Sequence, residues 1–179
     1  MTTNKTGGNS YIVDTNVAIA ANNKSDYSAS CALNCARKLQ EITKKGSIES
    51  VVIDTGNLIF NEYKKHLSLK GQPGVGDMFI KWLFTNIGNA DKCIRLKITP
   101  DGSSYGFKEF PRISELSNFD PSDAKFVALA KVCLSNPSIL QATDTKWWGW
   151  NSALNACGVT VIFLCLEEIR QRWQKKFSS

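Results

Sequence analysis

Four acidic residues, Asp14, Glu62, Asp123 and Asp144, stand where a folded chain ordinarily keeps Val, Leu or Ala. Each falls at the end of an apolar run or on the apolar side of a helical repeat. Burying a lone carboxylate costs on the order of several kcal/mol unless it is paired, protonated or bound to a cation. Clustered carboxylates repel one another until a cation neutralises them, and oxygen donors suit hard divalent ions such as Mg²⁺ or Mn²⁺. Such an ion activates water near neutral pH and stabilises charge on a phosphoryl group. A divalent-metal site built to act on something anionic is therefore what these acids suggest, with nucleic acid as the leading candidate.

The rest of the chain is compatible with that chemistry but does not demand it. Its 179 residues suffice for one domain over residues 11–179, after a loose polar tail at 1–10. A net charge of +6 suits a phosphate-bearing partner. Basic residues gather at Lys44 and Lys45, at Lys64 and Lys65, and at Arg170, Arg172, Lys175 and Lys176. Solvated helix faces and helix C-termini account for many such groups. Six cysteines with no Cys-x-x-Cys pair, and a single His, lack the usual zinc-site spacing. Most have apolar neighbours, as small hydrophobes do. With no secretory signal pattern and no apolar run of membrane length, reduced thiols and a cytoplasmic location are expected.

Positioning the acids falls to alternating strands and helices. Apolar runs at 11–13, 50–53, 93–98, 139–143 and 159–164 read as strands. Helical periodicity covers 15–21, 28–45, 56–69, 77–86, 121–134 and 166–177, with loops at 71–76 and a turn-rich excursion at 100–111. Strands that are nearly uniform in apolarity and separated by helices indicate α/β layering around a parallel sheet.

Three strand ends echo one another: Val13-Asp14-Thr15, Ile53-Asp54-Thr55 and Thr143-Asp144-Thr145. Ligands bind beyond the carboxyl ends of parallel strands, but Asp and Thr also cap the helices that follow. Asp54 is read as a cap. Glu62 lies on the apolar arc formed by Leu58, Ile59, Phe60, Tyr63, Leu67 and Leu69. Asp123 lies on the stripe of Phe126, Val127, Ala130, Cys133 and Leu134, with Asp120 as the expected N-cap.

With those residues in view, the chain resembles PIN-domain nucleases, a family that includes toxin endoribonucleases of the VapC type. Ile12-Val13-Asp14-Thr15-Asn16-Val17 is similar to the family's first motif. Ile59-x-x-Glu62-Tyr63, Asp120-Pro-Ser-Asp123 with Phe-Val-Ala-Leu-Ala after it, and Ala142-Thr143-Asp144 resemble the second, third and fourth. The resemblance implies a Rossmann-like α/β/α sandwich with a mainly parallel central sheet. It also implies a metal-dependent endoribonuclease in which Asp14, Glu62, Asp123 and Asp144 are the catalytic, metal-binding acids for one or two Mg²⁺ or Mn²⁺ ions, and a toxin or defence role. Many members carry another acid just after the fourth motif; here Lys146, Trp147 and Trp148 follow instead. Residues 70–76 and 100–112 read as insertions relative to compact toxin members.

Neighbouring residues suggest supporting roles. Thr15 and Asn16 could orient a carboxylate, or simply start a helix. Lys146 could contact a phosphate while Trp147 and Trp148 stack on RNA bases, although core packing is the commoner fate of Trp. The apolar sides of 28–45 and 77–86 could offer a groove to an antitoxin-like protein or a face to a homodimer. Competing chemistries lack their parts. Asn16 stands where a haloacid-dehalogenase phosphatase needs a second Asp, no glycine loop of P-loop type exists, and His66 has no nucleophile elbow to serve. The rival from another class is a PIN-like RNA-binding or assembly scaffold with weak catalysis.

Overall fold

In a computed structural model, residues 8–23 and 26–177 are described, and they form a five-stranded, all-parallel sheet flanked by seven helices. The strands are β1 (Ser10–Val13), β2 (Ser50–Asp54), β3 (Cys93–Leu96), β4 (Ser138–Gln141) and β5 (Val161–Phe163). The helices are α1 (Thr15–Ala21), α2 (Ala29–Thr43), α3 (Leu58–His66), α4 (Val75–Asn86), α5 (Ala124–Val132), α6 (Thr145–Ala156) and α7 (Leu166–Phe177). This is a Rossmann-like α/β/α arrangement. No helix among the described residues is long and apolar enough to cross a membrane.

Strand order is β3-β2-β1-β4-β5, with β1 in the centre. Ile12, Val13, Val52, Ile53, Ile139 and Leu140 are buried, as the central strands of a parallel sheet covered on both faces require. Register is set by pairings such as Tyr11 with Val51 and Val13 with Leu140. α5 packs on β1, β2 and β4, while α1, α2 and α4 pack on one another. Gly76 permits the close α1–α4 approach, because a Cβ there would run into the Ala18 carbonyl. The apolar sides of α2 and α4 are used in this packing: Cys35, Leu39, Ile42, Phe79, Ile80 and Leu83 are all buried. The groove expected on those sides is thus filled by the protein's own core, although Leu33, Met78 and Phe84 remain exposed.

Several boundaries differ from the sequence reading. The tail expected at 1–10 lies outside the described residues up to residue 7, and Ser10 is the first residue of β1. The helix expected at 121–134 begins at Ala124 and ends at Val132. Leu134, placed on its buried stripe, is 99% exposed, because the chain leaves the helix at Cys133 and turns through Asn136 at φ 48°. The excursion at 100–111 is pinned by a Pro100–Phe107 bridge and sends Phe107 and Phe110 inward. Phe110 meets Phe119 at 5.2 Å between ring centroids, and Phe119 meets Trp147 at 5.3 Å and Trp150 at 4.5 Å. The insertion therefore buttresses α6.

The expectation of reduced thiols is corrected for one pair, while Cys35, Cys93, Cys133 and Cys157 are free thiols. Cys31 at the start of α2 and Cys165 just before α7 form a disulfide, with Cα atoms 5.0 Å apart. A separation of 134 residues left no local signal of this pairing.

Candidate functional site

In this topology the chain builds β2 and β3 on one side of β1, then crosses back to place β4 on the other. The connections from β1 and β4 run in opposite directions. Open α/β sheets bind their ligands in the crevice at such a switch point, beyond the carboxyl ends of the two strands. Asp14 follows the last residue of β1, and Asp144 caps α6 just beyond β4. Glu62 reaches the crevice from α3, and Asp123 reaches it from the turn before α5.

Asp14 is 5% exposed, and its carboxylate caps α1 by accepting the Asn16 backbone N–H at 2.9 Å. That one bond does not offset its surroundings. Burial first, and then the charges of Asp123, Glu62 and Asp144, push the Asp14 carboxyl up to about 8. Burial also pushes Asp123 upward, against the hydrogen bond donated by Trp147 Nε1 at 3.1 Å. Asp123 and Asp144 repel each other as well. Asp144 accepts the Lys146 backbone N–H at 2.8 Å in its capping role. All four acids are thus brought into one electrostatic neighbourhood.

Glu62 differs from the other three. Its Oε1 accepts the Thr15 hydroxyl at 2.5 Å, and its Oε2 pairs with Lys125 Nζ at 2.5 Å. Lys125 is itself buried and also donates to the Ser122 carbonyl. The sequence reading missed Lys125. The misplaced-charge criterion that found the acids, applied to cations, would have found it: it is the one charged residue in the wholly buried run from Ala124 to Ala130.

The supporting residues divide. Thr15 does orient a carboxylate, that of Glu62. The Asn16 side chain touches none of the four; it accepts the Ala142 N–H at 3.1 Å and donates to Gln141 Oε1, tying α1 to the end of β4 across the switch point. Asp120 is not the N-cap expected of it, because the helix starts later. Instead Ser122 folds back onto Asp120, with N–H and hydroxyl donated at 3.0 and 2.8 Å. Lys146, exposed and 2.9 Å from Asp120, joins Ser122 in holding that carboxyl down at about 2.

Trp147 is fully buried, so it has no face to offer a base; packing, not stacking on RNA, is its role. Trp148 is half-buried, with its ring edge to Phe163 at 5.1 Å. His66 is exposed at the end of α3, where it does not complete a hydrolase triad.

Fit to a divalent ion rests on the donor set and its charge. The candidate ligands are all carboxylate oxygens, and mutual repulsion with burial leaves Asp14 holding its proton near neutral pH. A hard cation would relieve that repulsion, with Asp14, Asp123 and Asp144 as its holders. The carboxylates are nevertheless spread out. The one set of three Asp, Glu, Cys or His side chains with ligand atoms all within 4.8 Å, among the described residues, is Cys31, Cys35 and Cys165. An ion that keeps part of its water shell, as Mg²⁺ does, suits the wider spacing. Compared with protein-family models, curated proteins and solved structures, the chain finds no match in any of the three.

Proposed function

We propose that this protein is a metal-dependent endoribonuclease whose site is the crevice at the β1–β4 switch point. The observation that carries the reading is Asp14. It is buried at the carboxyl end of the central strand, and three further acids raise its proton affinity. Such repulsion costs a folded protein stability, and a bound cation would relieve it. When bound, Mg²⁺ or Mn²⁺ would supply an activated water and stabilise charge on the phosphoryl group.

The chain's own residues do the rest. Asp14, Asp123 and Asp144 would hold the cation, and Asp14, which burial and its acidic neighbours leave protonated, would have to lose its proton to do so. Trp147 fixes the Asp123 carboxylate in direction, and Thr15 does the same for Glu62. Lys125 pairs with Glu62 and fixes its position beside the other acids. RNA, rather than DNA, follows from the resemblance of the four motifs, and so do a toxin or defence role and an antitoxin-like partner.

A second reading, an RNA-binding scaffold without catalysis, is favoured by the Glu62–Lys125 pair, which satisfies one of the four acids with no cation. Both are tested by offering tRNA, mRNA and single-stranded DNA to the wild type and to Asp14→Asn, with Mg²⁺, Mn²⁺ or EDTA. The nuclease reading expects metal-dependent cutting of RNA, absent in EDTA and in the variant. Binding of RNA without cutting under every condition would establish the scaffold instead.

A further inference from the structure

The second cluster of chemistry-bearing side chains lies away from the acids, at the junction of α2 and α7. Cys31 and Cys35 are four residues apart on α2, so they share one face of that helix. Cys165 approaches that face from the residue before α7, and all three are buried. The Cys31–Cys165 disulfide accounts for two of the sulfurs. It does not account for the third: Cys35 Sγ lies 3.8 Å from Cys165 Sγ, and all three sulfurs are within 4.8 Å of one another. A cavity of about 320 Å³, lined in part by Cys31, Cys165, Ser28, Asn34 and Glu168, leads to the cluster from solvent.

Sulfurs around a bound Zn²⁺ sit about 2.3 Å from the ion, which for tetrahedral angles puts them roughly 3.8 Å from each other. The Cys35–Cys165 separation already has that value. Only the bonded pair would have to open. Cys-x-x-x-Cys on a helix, completed by a distant third Cys, lacks the loop spacing by which zinc sites are recognised in sequence, yet it converges on the same geometry.

We propose that Cys31, Cys35 and Cys165, once the Cys31–Cys165 bond is reduced, form a three-sulfur site for a thiophilic divalent ion of the Zn²⁺ class, with a fourth position facing the cavity. A dithiol reductant supplies two electrons and two protons, splits the S–S bond into two thiols and leaves as its own disulfide. The ion then replaces three thiol protons, which pass to solvent, and three metal–sulfur bonds form. The α2–α7 junction is therefore closed in two alternative ways, by a disulfide in the oxidised protein and by an ion in the reduced one. The inference is independent of the acidic crevice, whose oxygen donors suit a different class of ion.

Cd²⁺ is the probe, because its thiolate complexes absorb in the ultraviolet. Protein reduced with a dithiol and desalted without air is titrated with Cd²⁺, then alkylated and mapped by mass spectrometry. The expected result is a charge-transfer band that saturates at one equivalent, with Cys31, Cys35 and Cys165 more protected from alkylation than in reduced protein without Cd²⁺, and the half-buried Cys157 equally reactive in both. Cys35→Ser should lower the band by about a third and the affinity by at least ~10-fold, while Cys93→Ser should change neither. The oxidised wild type should give no band. The proposal is overturned if reduced wild type gives no band at one equivalent, or if the protected residues are others. It is overturned equally if Cys35→Ser binds as tightly as wild type, or if mapping finds a Cys35–Cys165 disulfide in place of bound Cd²⁺. Protection in the wild type needs no variant, so a Cys35→Ser protein that failed to fold would leave the test intact.

Discussion

Two pairs of aspartates show what separates a structural carboxylate from one proposed to hold a cation. Asp54 and Asp77 are 0% and 1% exposed, as deep as any charge in the molecule. Asp54 accepts the N–H groups of Leu58 and Ile59 at 2.8 and 2.9 Å and so starts α3. Asp77 accepts those of Ser68 and Gly74 at 2.7 and 3.2 Å and fastens the loop before α4. Two backbone donors meet the carboxylate in both cases. Asp14 and Asp123 each have a single N–H donor and several acidic neighbours instead. Asp14 is buried like the first pair and Asp123 is half-buried; the difference lies in what surrounds each carboxylate. The first pair holds the fold together, and the second pair is held in place by the fold.

The comparison breaks most visibly in activity. Asp14→Asn should lower metal-dependent cleavage by on the order of 10³-fold or more, since it removes a ligand to the ion that stabilises the transition state. Asp54→Ala should leave cleavage per folded molecule unchanged, as measured by initial rates normalised to the folded fraction.

The pH dependence of stability separates the pairs next. In EDTA the folded Asp14 carboxyl keeps its proton up to about 8, whereas the unfolded chain loses it near 3.8. Between those values the folded state binds more protons. Its contribution is therefore fully present below about 4, declines as pH rises and is gone above about 8. The slope is at most about 1.4 kcal/mol per pH unit. Urea melts from pH 5 to 8 should show stability falling in wild type and a flatter profile in Asp14→Asn.

Smaller effects sharpen the contrast. Asp54→Ala and Asp77→Ala should each destabilise the protein by about 2 kcal/mol, because two buried N–H groups lose their acceptor. Thermal or chemical denaturation measures this directly. Lys125→Met should cost only about 1 kcal/mol in EDTA, because its partner Glu62 is partly open to solvent. It should also increase the stabilisation gained from Mn²⁺, since Glu62 is then free to face the ion.

Much of this architecture was legible in the sequence. The period of the apolar residues located every strand and six of the seven helices, because burial on both faces leaves a parallel strand little freedom of composition. The remaining helix, Thr145–Ala156, carries three tryptophans and two asparagines on no clear face, and no range was assigned to it. The acids were found because a carboxylate within an apolar run is conspicuous. What offsets each charge was not legible, since the partners lie far along the chain: Lys125 for Glu62 and Trp147 for Asp123. The Cys31–Cys165 pairing was hidden for the same reason.

The most direct test of the crevice is a Mn²⁺ titration at pH 7 in weak buffer, following bound Mn²⁺ by electron paramagnetic resonance and proton release with a pH electrode. With Asp14 pushed up to about 8, wild type should bind Mn²⁺ and release close to one proton per ion from that carboxyl. Asp14→Asn should bind more weakly and release almost none. Equal binding and equal proton release in the two proteins would contradict the account, because the ion would then lie somewhere other than at the switch point.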